Sequence, residues 1–424
     1  LGAFLSGGVD SSTVCALVRR RLDAPLKTFS IGFKGAPESE HETARIFAKH
    51  LGTEHYEEIV EPNSANFLLG IGKVLLALDD EAKAAGRTRI LDAAFIAEHT
   101  QDFPAFEAKL RETGWDEIIE ASGLPRAAME AAAATYAKAT ATIAIYGMGL
   151  TQHRLGVDSV QMLVNLLLMR GQIGKPGAGI CPVRGHSNVQ GQRTVGIAEK
   201  AELVPLDRLA EQYRFEPPRE DGLATVEACE AIMAGEIRAF IGLGGNFVRA
   251  IPERELMEAK WGGIDLTVQI ATKLNRCHLI TGRTSYLLPT LVRSEIDEQA
   301  SGPQIVTVED STTCIHGSRG RWKPAAETLL AEPRIVAELA KATLEPNPQV
   351  PWDEWVADYA KVRDAIEATY PDQFERFNQR LDIPGGFPRP VAARQRRWET
   401  ESGKAHFKVP KALCASFDDG RDHG

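Results

Sequence analysis

Ala141-Thr142-Ile143-Ala144-Ile145-Tyr146-Gly147-Met148-Gly149-Leu150-Thr151-Gln152-His153 reads as a short buried strand running directly into a glycine-rich polar turn. The same unit recurs downstream. Residues 239–242 lead into Leu243-Gly244-Gly245-Asn246. Residues 266–270 lead into Ala271-Thr272-Lys273-Leu274-Asn275-Arg276-Cys277-His278, and residues 305–308 into Glu309-Asp310-Ser311. Short apolar runs bounded by turn residues fit the buried strands of a mainly parallel sheet. Ligands of an open α/β sheet sit beyond the carboxyl ends of its strands, so the pattern predicts that these turns line one crevice. No repeat of fixed period accompanies it.

Upstream, residues 1–60 alternate strand and helix. Apolar runs at 1–5, 26–33 and 55–60 read as strands, with helices over 12–22 and 40–51, the second stopped by Gly52. The expected result is a βαβαβ unit. At Glu61-Pro62-Asn63 the character of the sequence changes, without a Pro-rich or Gly/Ser-rich linker. Helices are expected over 67–85, 91–99, 103–112, 116–121 and 125–139, the last with Pro125 at its first position. These boundaries predict three regions, 1–66, 67–392 and 393–424.

Composition narrows the function classes. The chain has 424 residues, 43% hydrophobic and 25% charged, which is the balance of a folded globular protein. At roughly 150 residues per domain, about two to three domains are expected. The 49 Lys and Arg against 58 Asp and Glu leave a net charge of −9, so no bulk positive field exists to hold nucleic acid. The 6 cysteines include no C-x-x-C pair, which argues against an iron–sulfur cluster, a zinc ribbon or a disulfide framework and suits a reducing cytoplasm. The longest apolar run, over 162–169, is far below the ~20 residues a membrane-spanning helix needs. The opening at Leu1, inside an apolar run, reads as a fragment or a trimmed product, and 415–424 reads as a polar tail.

Ser6-Gly7-Gly8-Val9-Asp10-Ser11-Ser12 lies between the first strand and the first helix. Two glycines let the backbone curl close to an anion, and the hydroxyls and free helical N–H groups supply donors. No G-K-[ST] follows, so this is not a Walker loop. The block resembles the pyrophosphate loop of the ATP pyrophosphatase family. Residues 1–66, with Lys27-Thr28-Phe29-Ser30-Ile31-Gly32-Phe33, 38–48 and Leu51-Gly52-Thr53-Glu54-His55, resemble the opening of the synthetase domain of glutamine-dependent asparagine synthetase. The resemblance implies that Ser6, Gly7, Gly8, Asp10, Ser11 and Ser12 bind ATP with Mg. The family's glutaminase domain and further acidic and lysine residues have no counterpart, so turnover of aspartate is not expected.

A second resemblance spans residues 70–408. It rests on Leu91-Asp92-Ala93-Ala94-Phe95-Ile96-Ala97-Glu98-His99-Thr100, on the Gly147 to His153 turn and on Gly174-Lys175-Pro176-Gly177-Ala178-Gly179. It continues through Arg184-Gly185-His186-Ser187-Asn188-Val189-Gln190-Gly191, the Gly244 turn, Thr272-Lys273-Leu274-Asn275-Arg276 and Thr400-Glu401-Ser402-Gly403-Lys404-Ala405-His406-Phe407. This part is similar to the molybdopterin oxidoreductases, in particular the formate-dehydrogenase-like alpha subunits. The resemblance implies Rossmann-like α/β domains and a molybdenum bis(molybdopterin guanine dinucleotide) cofactor.

The residue types suit such a ligand. Gly147, Gly149, Gly244 and Gly245 allow a pyrophosphate close to the backbone. Thr151, Asn188, Gln190, Asn246 and Asn275 can hydrogen-bond ring edges, Lys273 and Arg276 can balance phosphate, and His153 and Thr272 complete the cofactor set. The resemblance gives catalytic roles to Arg184, as the anchor of a formate-like anion, and to His186. The His186-Ser187 pair departs from the formate dehydrogenases. The family's iron–sulfur cysteines and molybdenum ligand precede the matched region, so no metal ligand is assigned here. The leading reading is an incomplete molybdopterin-dependent oxidoreductase with a small-molecule substrate and a partner redox subunit. The alternatives are an ATP-dependent amide ligase and a non-catalytic fusion or misassembled product.

Overall fold

The computed structural model describes residues 2–4, 9–20, 26–33, 41–60, 64–151, 155–251 and 253–410. They belong to two compact units, 1–183 with 391–424, and 184–390. Both mix helices with parallel strands, and the class is α/β.

The first unit opens with the expected βαβαβ arrangement. Gly2–Phe4, Lys27–Phe33 and Glu54–Val60 form a parallel sheet in that order, with helices Val9–Arg19 and His41–Leu51 as its crossovers. Gly52 takes φ +60 and donates to the Lys49 carbonyl at 3.3 Å, the left-handed stop its position predicted. Cys15, Leu26, Ala44 and Ala48 form the small core beneath.

Helix Ser64–Ala84 then becomes the centre of a helical layer. Its Leu68, Leu69, Leu75 and Leu76 are buried among Phe106, Leu110, Ile118, Met129 and Leu166 of the helices Phe103–Glu112, Trp115–Ser122, Arg126–Lys138 and Gly156–Met169. A Cβ on Gly70 would lie 2.1 Å from the Met129 sulfur, so only glycine lets these helices approach so closely. Pro125 stands one residue earlier than predicted, at the N-cap, where its ψ of 147 is still extended. Far along the chain, Ala405–His406 pairs in parallel with Thr100–Gln101, and Phe407 stacks on Phe106 at 5.3 Å.

Ile143–Tyr146 forms a parallel pair with Gly179–Pro182 across helix Gly156–Met169. The expectation of a buried strand fails here. Ile143 and Ile145 are 51% and 64% exposed, because the strand has one neighbour and one covered face.

In the second unit Ala239–Leu243, Leu266–Ala271 and Thr284–Pro289 make a three-stranded parallel sheet with Leu266–Ala271 in the middle. Only this central strand is buried along its length. Val268 and Ile270 pack with Ile335 of helix Glu332–Thr343. Another core, of Ile232, Val248, Ile251, Met257, Trp261, Ile264 and Cys277, includes Phe240 and Phe247 at its edge.

The 305–308 strand corrects the expectation of a further parallel unit. Val306–Glu309 pairs antiparallel with Cys314–Ser318, which in turn pairs antiparallel with Phe387–Pro388. The connection is too short for a parallel crossover. It is closed instead by Asp310, whose Oδ1 accepts from the Thr312 and Cys314 N–H groups at 2.8 and 3.0 Å, with Thr313 at φ +60.

Candidate functional site

Two of the predicted turns meet at the carboxyl ends of the second unit's parallel strands. After Ala239–Leu243, Gly244 and Gly245 adopt φ +69 and +77, and Gly244 donates to the Ile270 carbonyl at 2.8 Å. Such angles strain any residue with a Cβ, and nothing stands within 4 Å of where one would be. The turn therefore presents open backbone. After Leu266–Ala271, Asn275 caps a short 3-10 turn: its Oδ1 accepts from Cys277 N–H at 2.9 Å and its own N–H donates to His278 Nδ1 at 3.1 Å. Its Nδ2 donates to the Gly245 carbonyl at 3.2 Å.

Asn275 thus fastens the two turns together, and His278 holds Asn275 from within its own turn. Thr272, Lys273 and Arg276 are exposed beside them, as is Asn246. Among the described residues neither Lys273 nor Arg276 has an ion-pair partner within 4 Å. A pair of uncompensated cations next to an open glycine backbone suits a phosphate group.

The Arg184 block forms the second constellation of this unit. Asn188 takes φ +67 and its Oδ1 accepts from the Glu309 N–H at 3.0 Å. Gln190 Nε2 donates to Glu309 Oε1 at 2.8 Å, and Arg184 Nη2 donates to Gln190 Oε1 at 3.2 Å. Thr194 Oγ1 reaches Glu309 Oε2 at 2.7 Å and Arg389 Nε reaches Oε1 at 3.1 Å. Gly191 lies against this network, for a Cβ there would stand 2.0 Å from Asn188 Oδ1. Ser187 Oγ accepts from Arg293 Nη1 at 3.0 Å. Arg184 and His186 themselves are exposed.

Beside the network, His316 Nε2 lies 2.7 Å from Asp310 Oδ2. Burial alone would raise the Asp310 carboxyl. The imidazole and the Cys314 and Thr312 donors outweigh it and hold the pKa below its ordinary value.

Gly147, Gly149 and Thr151 belong to the first unit, apart in the chain's division from the Gly244 and Asn275 turns. Gly147 opens the Met148–Leu150 3-10 turn with free space at its Cβ, and Thr151 Oγ1 turns back to the Met148 carbonyl at 3.3 Å. His153 lies outside the described residues, as do Ser6, Gly7 and Gly8. Asp10 and Ser11 fall in helix Val9–Arg19, and Ser12 on the same helix is buried.

Glu309 was named from the sequence only as the start of a turn, without a role, and Thr194, Arg389 and Arg293 were not picked out. The one signal for Glu309 was a carboxylate closing an apolar strand. Its partners at 190 and 389 are too distant in sequence for any local pattern to show them.

The comparisons with known proteins divide along the chain. The asparagine synthase family matches residues 1–104, beyond the change of character at 61–63. Protein YdeP of Escherichia coli K12 is 48% identical over 378 residues, covering 89% of this chain and 49% of its own length. An uncharacterized oxidoreductase of Mycobacterium tuberculosis is 39% identical over 353 residues, 83% of this chain and 45% of its own. Formate dehydrogenase H of E. coli K12 is 25% identical over 242 residues, 54% of this chain and 31% of its own. The chain spans about half the length of the first two of these relatives.

Acetylene hydratase from Pelobacter acetylenicus shares the fold with a TM-score of 0.53 at 13% identity, over 90% of this chain and 55% of that one. Among the described residues no helix is long and apolar enough to cross a membrane. The chain thus resembles asparagine synthase over its opening residues, an uncharacterized oxidoreductase over most of its length and formate dehydrogenase H over about half of it.

Proposed function

We propose that the chain is the central α/β part of a molybdopterin-dependent oxidoreductase and that its second unit binds the guanine-dinucleotide end of a bis(molybdopterin guanine dinucleotide) cofactor. The observation that carries this reading is the pair of turns joined through Asn275, with open backbone at Gly244 and Gly245 and uncompensated Lys273 and Arg276 alongside. These residues fit the group: the Gly245 N–H and two cations answer its phosphates, with the Gly244 N–H held by the Ile270 carbonyl, and the Asn246 amide and Thr272 hydroxyl offer the mixed donors and acceptors a guanine edge requires. When bound, the cofactor supplies the metal redox chemistry.

Arg184 anchors a small anionic substrate such as formate. Among the described residues its side chain makes one hydrogen bond, to Gln190, which leaves most of the planar fork to grip a carboxylate. His186, exposed two residues on, supplies an imidazole that can donate or accept a hydrogen bond. Electrons leave to a partner redox subunit.

Titration of isotopically labelled protein with GMP, followed by amide NMR, tests the site. Saturable shifts are expected at Gly244, Gly245, Asn246, Thr272 and Lys273. Shifts scattered elsewhere, or none that saturate, would count against it.

A second reading, an ATP-dependent amide ligase, is favoured by the asparagine synthase match over residues 1–104. The 6–12 loop is expected to bind pyrophosphate or ATP with Mg but not to act on aspartate. Aspartate-dependent release of pyrophosphate from ATP by the chain alone would establish the ligase instead.

A further inference from the structure

We propose that the buried Glu309 is a positioning residue for Arg184, acting through the amide of Gln190. The proposal rests on the reading of Arg184 as the anion anchor.

The Glu309 side chain is 2% exposed, and a carboxylate so placed must have partners or be costly to bury. Both oxygens are occupied, Oε1 by Gln190 Nε2 and Arg389 Nε, and Oε2 by Thr194 Oγ1. Arg389 is in turn held by Gln373, whose Oε1 accepts from its Nη1 at 3.1 Å.

The consequence for Gln190 follows from donor and acceptor chemistry. An ionised carboxylate can only accept, so the NH2 end of the Gln190 amide must face Glu309. Its oxygen is thereby turned outward, where Arg184 Nη2 donates to it at 3.2 Å. The charge on Glu309 thus sets which end of Gln190 meets Arg184, although Glu309 has no hydrogen bond to Arg184 itself. A donor at position 309 would let the amide rotate and turn its NH2 toward a guanidinium that cannot accept.

The loop is pinned at two further points, Ser187 by Arg293 and Asn188 by the Glu309 N–H. Arg184 is otherwise exposed. An exposed arginine side chain has many rotamers to lose, so a fixed point on its guanidinium lowers the cost of closing on an anion.

The test uses the whole chain labelled with [15N]arginine and probed with formate. The Arg184 Nε signal is assigned by its loss in Arg184→Lys. In the unaltered chain it should stand away from the position of free arginine and shift on formate addition. Glu309→Gln should move it to the free position and weaken formate binding about tenfold, the effect of roughly one hydrogen bond to a charged group. Gln190→Leu should do the same, and adding Glu309→Gln to Gln190→Leu should change nothing more, which independent effects on stability would not reproduce.

If Glu309→Gln does not fold, Glu309→Asp keeps the charge but withdraws it from Gln190 and should release Arg184 equally. An unmoved Arg184 signal in a folded Glu309 variant overturns the proposal. A signal that moves in the variants but does not respond to formate supports the positioning role and overturns the reading of Arg184 as anchor.

Discussion

Trp261→Ala should destabilise the second unit by about 3–5 kcal/mol, the usual cost of emptying a fully enclosed aromatic site. Trp261 is 0% exposed and lies at the centre of an aromatic group, edge-on to Phe240 at 4.8 Å and tilted against Phe247 at 6.2 Å. Phe240 is on the strand that leads into Gly244, and Phe247 begins the helix directly after Asn246. The cavity would therefore open beneath the candidate dinucleotide turn and loosen it. Trp261→Phe should cost clearly less, for it keeps most of the ring contact and removes an indole N–H with no acceptor among the described residues. Urea unfolding of the three proteins measures the order. A Trp261→Phe variant as unstable as Trp261→Ala would show that this packing does not hold the unit together.

Asp79→Ala should cost the first unit about 3 kcal/mol, at the low end for a broken buried ion pair because Arg89 is 41% exposed. The Asp79 carboxylate pairs with the Arg89 guanidinium and accepts from the Ile90 and Leu91 N–H groups at 2.8 and 3.0 Å. It thus ties the later turns of helix Ser64–Ala84 to the segment that follows. Burial pushes the carboxyl pKa up, but the Arg89 guanidinium and the two backbone donors pull it further down, and the net position is below the ordinary value. A carboxyl depressed in the folded state contributes its stability above the unfolded pKa of ~3.9 and loses it as pH falls through that value toward the folded one. Stability of the unaltered chain should accordingly fall more steeply below about pH 4 than that of Asp79→Ala. Parallel acid-unfolding curves would contradict the assignment.

Much of the secondary structure was legible because local signals and tertiary demands agree. The helix over 103–112 falls where its apolar spacing places it, and Gly52 stops His41–Leu51 through its own conformational freedom. What could not be read depends on partners far away in sequence. Gly179–Pro182, with glycine and proline at its ends, becomes a strand only by pairing with Ile143–Tyr146. The mostly exposed Thr284–Pro289 has no buried face to give it a strand's alternation.

The site shows the same division. The glycines of the 244 turn were legible because positive φ leaves a direct mark on sequence. Asn188, Gln190 and Asn275 were legible as polar residues in special turns, but not in their bonding: all three use side-chain groups to hold the loops themselves. Among the described residues Lys273 and Arg276 are exposed without an ion-pair partner, and the exposed Arg184 makes one side-chain hydrogen bond, to Gln190.

Calorimetric titration with extracted molybdopterin guanine dinucleotide tests the central claim most directly, comparing the unaltered chain with Asn246→Ala and Lys273→Ala combined. The lost Lys273 contact to a phosphate is worth about 1.5–3 kcal/mol and the neutral Asn246 bond about 0.5–1.5 kcal/mol, so the double variant should bind roughly a hundredfold more weakly. No saturable binding by the unaltered chain, or equal affinity in the double variant, would contradict the placement of the dinucleotide at the Gly244 and Thr272 turns.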